Sequence, residues 1–221
     1  MLMFGEDKFI MGAEFIDQPE NKFFMYKTIY DTIIDLDEKI KKSFRLAIEW
    51  EYQSDIKEFN MFLIPSEEER EAIYYTENAI FRTSVLWDLL AQLYNIRNKN
   101  NENPEKVYYK TLFHNETQGS QPNEFAAAVY SYISEAEDEN DNQNPDGAWR
   151  GNHKYVVDYR NKMTHRNSPN VSSASSYAIQ LRMPMRYVLK RSIEDYCVAA
   201  DFIQKLMAII LLDYDNTDNK C

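Results

Sequence analysis

The sequence predicts an all-α protein, an up-and-down helical bundle of four main helices with one or two short ones. Three observations point there. Long stretches keep apolar residues at helical spacing. Only five glycines occur in 221 residues, against sixteen tyrosines and twelve phenylalanines, which disfavours a β-sandwich that turns roughly every ten residues. Apolar residues make up 44% of the chain, enough to build a sizeable core. The length suits one domain over residues 1–221, since single cores stop growing only at somewhat larger sizes.

Residues 21–52 place Tyr26, Tyr30, Ile33, Ile40, Phe44, Ala47 and Ile48 at helical intervals, with no Gly or Pro, so one long helix is expected. After Pro65, Ser66-Glu67-Glu68-Glu69 has the form of a capping box, in which Ser66 and Glu69 satisfy each other's backbone N–H groups. A second long helix follows to about residue 97. Its seven-residue repeats, Ile73-Ile80-Trp87-Tyr94 and Ala79-Leu86-Leu93, suit packing against the first. The Asn-rich linker 98–104 leads to a short helix ending near His114 and, past a polar turn, to a further helix over 125–136. Residues 135–146 hold six acids and no base before Gly147, so a mobile acidic loop is expected over about 135–147. Helix resumes over 148–165 and stops at Asn167-Ser168-Pro169. Residues 171–183 read as loop or a short extended piece. A last amphipathic helix over 185–212 precedes a polar tail, 213–221.

Charge is unevenly spread. The net charge is −11, yet residues 150–191 hold nine bases and one acid, Asp158, a local +8 that leaves −19 on the remainder. Such asymmetry fits a surface facing a polyanion such as RNA, with Arg150, Lys154, Lys162 and Arg166 as the bases nearest the candidate site. It fits equally well a set of bases paired with the acidic remainder across the bundle. Cys197 and Cys221 have no CxxC or Cys/His spacing around them, which suits a reducing compartment and argues against structural zinc. Residues 1–15 lack the basic region and apolar run of a signal peptide. The longest apolar run, 206–212, is far short of the ~20 residues of a membrane span, so a cytoplasmic protein without membrane partners is expected. Walker, GxGxxG, HExxH, EF-hand and GxSxG motifs are absent, as are ExxH pairs, and no metal or cofactor is expected.

On a helical wheel, Trp149, His153, Val156, Arg160 and Met163 share one face, with Arg160 near its centre. An arginine in an apolar stripe must be paired, at an interface, or lining a cavity, because burying it unpaired costs several kcal/mol. His165 falls about 140° away on an ideal helix. The two therefore meet only if the helix end unwinds, as the nearby Pro169 would allow, or if a second subunit intervenes.

The hexapeptide Arg160-Asn161-Lys162-Met163-Thr164-His165 resembles the R-x4-6-H motif of HEPN domains, in which a polar residue commonly follows the Arg near the end of a bundle helix. Many HEPN proteins are metal-independent endoribonucleases that act as homodimers, some of them toxins or anti-phage effectors. The resemblance implies that His165 acts as general base or acid around a ribose 2′-hydroxyl. It implies that Arg160 stabilises the phosphorane, and that Asn161 orients His165 or holds a phosphate oxygen. The products would carry a 2′,3′-cyclic phosphate and a 5′-hydroxyl. The family also has non-catalytic members that bind RNA or a protein partner. HEPN toxins silenced by nucleotidyltransferase antitoxins carry a modifiable Tyr two residues after the His; Asn167 stands there, which argues against such a partner.

The plainer alternative makes Arg160 an intrabundle or dimer salt-bridge residue and His165 a helix C-cap. HEPN bundles often place a polar residue of the first helical hairpin near the motif, so the resemblance implies that Asp88 on the second helix, with Arg82 six residues before it, orients Arg160 or His165. The competing account is a solvated polar stripe. His153 either lines the groove of Arg160 or is a satisfied histidine beside Trp149.

Overall fold

A computed structural model describes residues 22–54, 59–98, 107–118, 123–138, 147–165, 168–174 and 179–218. Among them are six helices: α1 (Lys22–Gln53), α2 (Glu67–Asn98), α3 (Tyr109–Thr117), α4 (Glu124–Ile133), α5 (Asn152–His165) and α6 (Met185–Asp218). The fold is all-α. The one exception is a small antiparallel hairpin in which β1 (Ser173–Ala174) pairs with β2 (Ile179–Gln180), Ser173 opposite Gln180. No helix among the described residues is long and apolar enough to cross a membrane.

The capping box forms as the sequence predicts: the Ser66 amide donates to Glu69 Oε2 at 3.1 Å and the Glu69 amide donates to Ser66 Oγ at 3.2 Å. From there α2 runs through the middle of the bundle, touching α1, α3, α5 and α6. That position explains its composition. A helix surrounded by others must be apolar on most sides, and the seven-residue repeat is accordingly buried at Ala79, Ile80, Leu86, Trp87, Leu93 and Tyr94. α1 lies along α2, burying Tyr26, Ile33, Ile40, Phe44 and Ala47, the positions that its sequence period selects. α6 closes the other side against α2 and α5, while α3 and α4 pack on each other across one end.

Several boundaries differ from those expected. α4 starts at Glu124 because Asn123 caps it, its side chain accepting from the Ala126 amide, and it ends at Ile133, three residues earlier than expected. α6 continues to Asp218, so much of the expected polar tail is helical. α5 begins at Asn152, four residues later than predicted. Gly151, with φ +66°, turns the chain there.

The start of the acidic stretch is not free. Glu135 receives the Gly151 amide at 3.0 Å and Arg150 Nε at 2.9 Å, tying the end of α4 to the start of α5. The expected mobile loop thus begins with an anchored segment; residues 139–146 lie outside the described ones.

Gly151 packs so tightly on that segment that an added Cβ would sit 2.4 Å from the Glu137 backbone nitrogen. We therefore expect Gly151→Ala to lower the unfolding free energy by about 1–3 kcal/mol through the disfavoured backbone alone, with the steric clash adding to it, measured by urea denaturation.

Candidate functional site

α5 is held at its start by a dense polar network. Asn152 Nδ2 donates to the Trp149 carbonyl at 2.8 Å and to Glu194 Oε2 at 2.7 Å. The buried Arg191 guanidinium donates to Asn152 Oδ1 at 3.1 Å and to the Arg150 carbonyl at 3.0 Å. Its central carbon lies 5.0 Å from the ring centroids of Trp149 and Tyr155 and 5.1 Å from that of Tyr187, an aromatic setting suited to a desolvated cation. These contacts fix the rotation of α5 against α6. One face of α5 is thereby directed into the bundle.

His153, one residue into that face, is 1% exposed. Its Nδ1 lies 3.1 Å from Asp195 Oδ1 on α6, and its Nε2 lies 2.9 Å from the Tyr109 hydroxyl on α3. The Asp195 carboxylate also accepts from Trp87 Nε1 and from the Tyr132 hydroxyl, both at 3.3 Å. Because a carboxylate only accepts, Nδ1 is the donor to Asp195. Trp87 packs edge-on to the imidazole, with centroids 4.8 Å apart. The sequence had placed His153 beside Trp149; its indole neighbour is Trp87. His153 is a satisfied histidine, with a hydrogen-bond partner at each ring nitrogen.

Arg160 lies two turns further along α5 and is half-buried. Its Nε is shielded from solvent and has no hydrogen-bond partner among the described residues. Asp88 on α2 is its electrostatic neighbour: burial raises the Asp88 carboxyl above the usual aspartate range, and the Arg160 charge partly offsets that rise. No ion pair links the two among the described residues, so the guanidinium keeps its donors. The Tyr109 phenol feels the same charges. Burial raises its pKa most, Asp195 and Asp88 add to the rise, and Arg160 opposes it.

Elsewhere the predicted residues scatter. Asn161 and Lys162 are exposed. α5 remains helical through its last residue, His165, so Arg160 and His165 stand about 140° apart around the helix axis and the helix end does not unwind between them. The His165 side chain, Arg166 and Asn167 lie outside what is described. Arg82 turns back on its own helix, donating to the Asn78 carbonyl at 2.9 Å and to Asn78 Oδ1 at 3.1 Å.

The basic stretch is largely neutralised in place. Arg150 pairs with Glu135 at 2.9 Å, Lys154 with Asp158 at 2.9 Å, Arg182 with Glu69 at 3.0 Å, Arg186 with Glu51 at 2.8 Å and Lys190 with Glu194 at 2.7 Å. Arg150, Arg182 and Arg186 pair with acids of other parts of the chain, as the second account of the charge asymmetry expects, while Lys154 and Lys190 pair one turn along their own helices.

Sequence reasoning missed Tyr109, Tyr132 and Asp195, and the role of Trp87. A signal for one was available: Asp195 falls in helical register with the apolar Val188, Ala199 and Phe202 at a core position of α6, where an acid must be paired. Tyr109 sends no such signal, because an aromatic residue at a helix start is ordinary. Among the described residues no group of three or more His, Cys, Asp or Glu side chains could hold a metal ion. No protein-family model, curated protein or solved structure matches the chain.

Two outcomes follow. Replacing either member of the buried pair, His153→Leu or Asp195→Leu, strands donors or an acceptor and should cost about 3–5 kcal/mol. The double variant should lose far less than the sum, a coupling readable in a double-mutant cycle of urea melts. For Asp88, the folded-state pKa lies above the unfolded one, so ionising it costs stability. That cost is absent below the unfolded pKa, grows as pH rises through the window between the two, and is constant above it. Asp88→Asn should therefore raise the melting temperature modestly at neutral pH and leave it unchanged under acid conditions below the ordinary aspartate pKa.

Proposed function

We propose that the protein is a HEPN-like, metal-independent endoribonuclease that cleaves RNA by attack of a ribose 2′-hydroxyl on the adjacent phosphate. The observation that supports this best is Arg160. Its guanidinium is half-buried on the inward face of α5, near Asp88, and its Nε has no acceptor among the described residues. A cation held part-way out of water with spare donors is suited to a phosphorane, whose extra charge a fixed bidentate donor stabilises. His165, at the end of the same helix, supplies acid or base chemistry, and Asn161 contacts His165 or phosphate. Since Arg160 and His165 diverge on one straight helix, the working site is composite, with Arg160 and His165 meeting across a homodimer. A toxin or anti-phage effector acting in the cytoplasm is the biological role in keeping with this chemistry.

A second reading is favoured by the pairing of Arg150, Lys154, Arg182, Arg186 and Lys190 with carboxylates, which leaves a thinner basic surface than the sequence promises. On it, the chain is a non-catalytic HEPN-like bundle that binds a protein partner.

Incubation of the purified protein with total RNA in EDTA separates them. The ribonuclease yields fragments ending in 2′,3′-cyclic phosphate and 5′-hydroxyl, and Arg160→Ala or His165→Ala slows cleavage by about 10²-fold or more. Cleavage that needs a divalent metal, or that either alanine variant performs at the wild-type rate, rejects the assignment.

A further inference from the structure

The segment from Ile179 to Met183 has its polarity reversed. A strand that covers a protein with one face turns apolar side chains inward and polar ones to water. Here Gln180 and Arg182 turn inward, while Ile179, Leu181 and Met183 alternate with them on the exposed side. Gln180 Nε2 donates to the Ser168 and Val171 carbonyls at 2.7 and 3.0 Å. Arg182 is 5% exposed and donates to Glu69 Oε1 at 3.0 Å and to the Asn60 carbonyl at 2.9 Å, with the Phe59 ring packed on its guanidinium. These inward bonds fix the outward direction of the three apolar residues.

The three are part of a larger face. Ser172 Oγ donates to the Met61 carbonyl and accepts from the Arg182 amide at 3.0 Å, fastening the hairpin to the loop between α1 and α2. That loop exposes Phe62, Leu63 and Ile64 in succession, and Phe62, Ile64 and Ile179 are each at least 75% exposed. The six side chains leave on the order of 700 Å² in water, more than the ~300–600 Å² of the largest apolar patch on a typical monomer and close to one partner's share, ~800 Å², of a standard interface. Leu63, Ile64 and Arg182 also line a cavity of about 390 Å³ that reaches Ser66 and Glu68 at the start of α2. A cavity of that volume has room for a long side chain.

Charge selects the occupant. Arg182 and Glu69 neutralise each other at 3.0 Å, after which the first turns of α2 carry Glu67, Glu68 and Glu71 against one base, Arg70. A second copy docked by the same face would bring these acids together across a two-fold axis. Residues 1–21, with five acids and one base, would add to them. We propose that this face is a docking site for a segment of a partner protein in which Lys or Arg stands among large apolar residues, the apolar side chains covering Phe62–Ile64, Leu181 and Met183 and a basic one entering the cavity toward Glu68. The face shares no residue with the Arg160 site, so the proposal stands whether or not the chain cleaves RNA.

Panning a phage-displayed library of random peptides on the full-length protein, with counter-selection on Leu181→Ser/Met183→Ser, tests this. We expect the enriched peptides to carry Lys or Arg beside large apolar residues. A synthetic peptide of enriched sequence, followed by fluorescence anisotropy, should lose about 10-fold in affinity with Glu68→Lys and about 10-fold with Leu181→Ser/Met183→Ser. Its binding to wild type should weaken as salt rises. Circular dichroism checks the double variant, and Phe62→Ser takes its place should it misfold. The absence of enriched peptides, enrichment of acidic or uncharged ones, or equal affinity for wild type and Glu68→Lys overturns the proposal. So does sedimentation that finds a wild-type dimer converted to monomer by Leu181→Ser/Met183→Ser, which assigns the face to a second copy.

Discussion

The carboxylate of Asp195 is the contact around which the site end of the bundle is organised. It sits 1% exposed on α6 and accepts from Trp87 on α2, Tyr132 on α4 and His153 on α5. Taking a carboxylate out of water costs several kcal/mol unless donors replace the solvent, so each of these helices must present its donor at one depth and one rotation. His153 extends the constraint to α3 through Tyr109. Apolar packing between helices tolerates small slides and rotations; a shared buried acceptor does not. The short helices α3 and α4, which have little surface of their own to bury, are thereby tied to the long ones.

A second buried acid uses the same device at lower cost. Asp37 on α1 is largely buried, accepts from the Tyr196 hydroxyl on α6, and is neutralised at the surface by Lys41 at 2.5 Å. Arg191 inverts the pattern, a buried cation enclosed by Trp149, Tyr155 and Tyr187 and donating to backbone and Asn152 oxygens. In each case the charge links α6 to another part of the chain. These buried charges therefore serve to orient helices, and several bases of the basic stretch meet acids in local pairs.

Arg160 departs from that economy. It shares the inward face of α5 with His153 and Val156, yet it makes no ion pair among the described residues and keeps a shielded Nε without an acceptor. Its neighbour Asp88 is itself held above the usual aspartate range by burial. Two partly desolvated groups that stop short of a contact pair are poor stabilisers and suitable hosts for a third, charged species.

Periodicity and caps were legible in the sequence because they depend on neighbours three to seven residues away. The long helices, the Ser66–Glu69 box and the buried repeat of α2 follow from such local spacing. The wheel that put Arg160 with His153 and Val156 was of the same kind. The start of α5 was not legible, since it depends on Glu135 reaching Gly151 and Arg150 from across a loop. Nor was the partner of His153: Tyr109 and Asp195 lie 44 and 42 residues away along the chain. The sequence alone determined which residues face inward. Only the tertiary structure decided which of them meet, because a buried polar group is satisfied by whatever the packing of separate helices brings within hydrogen-bond reach.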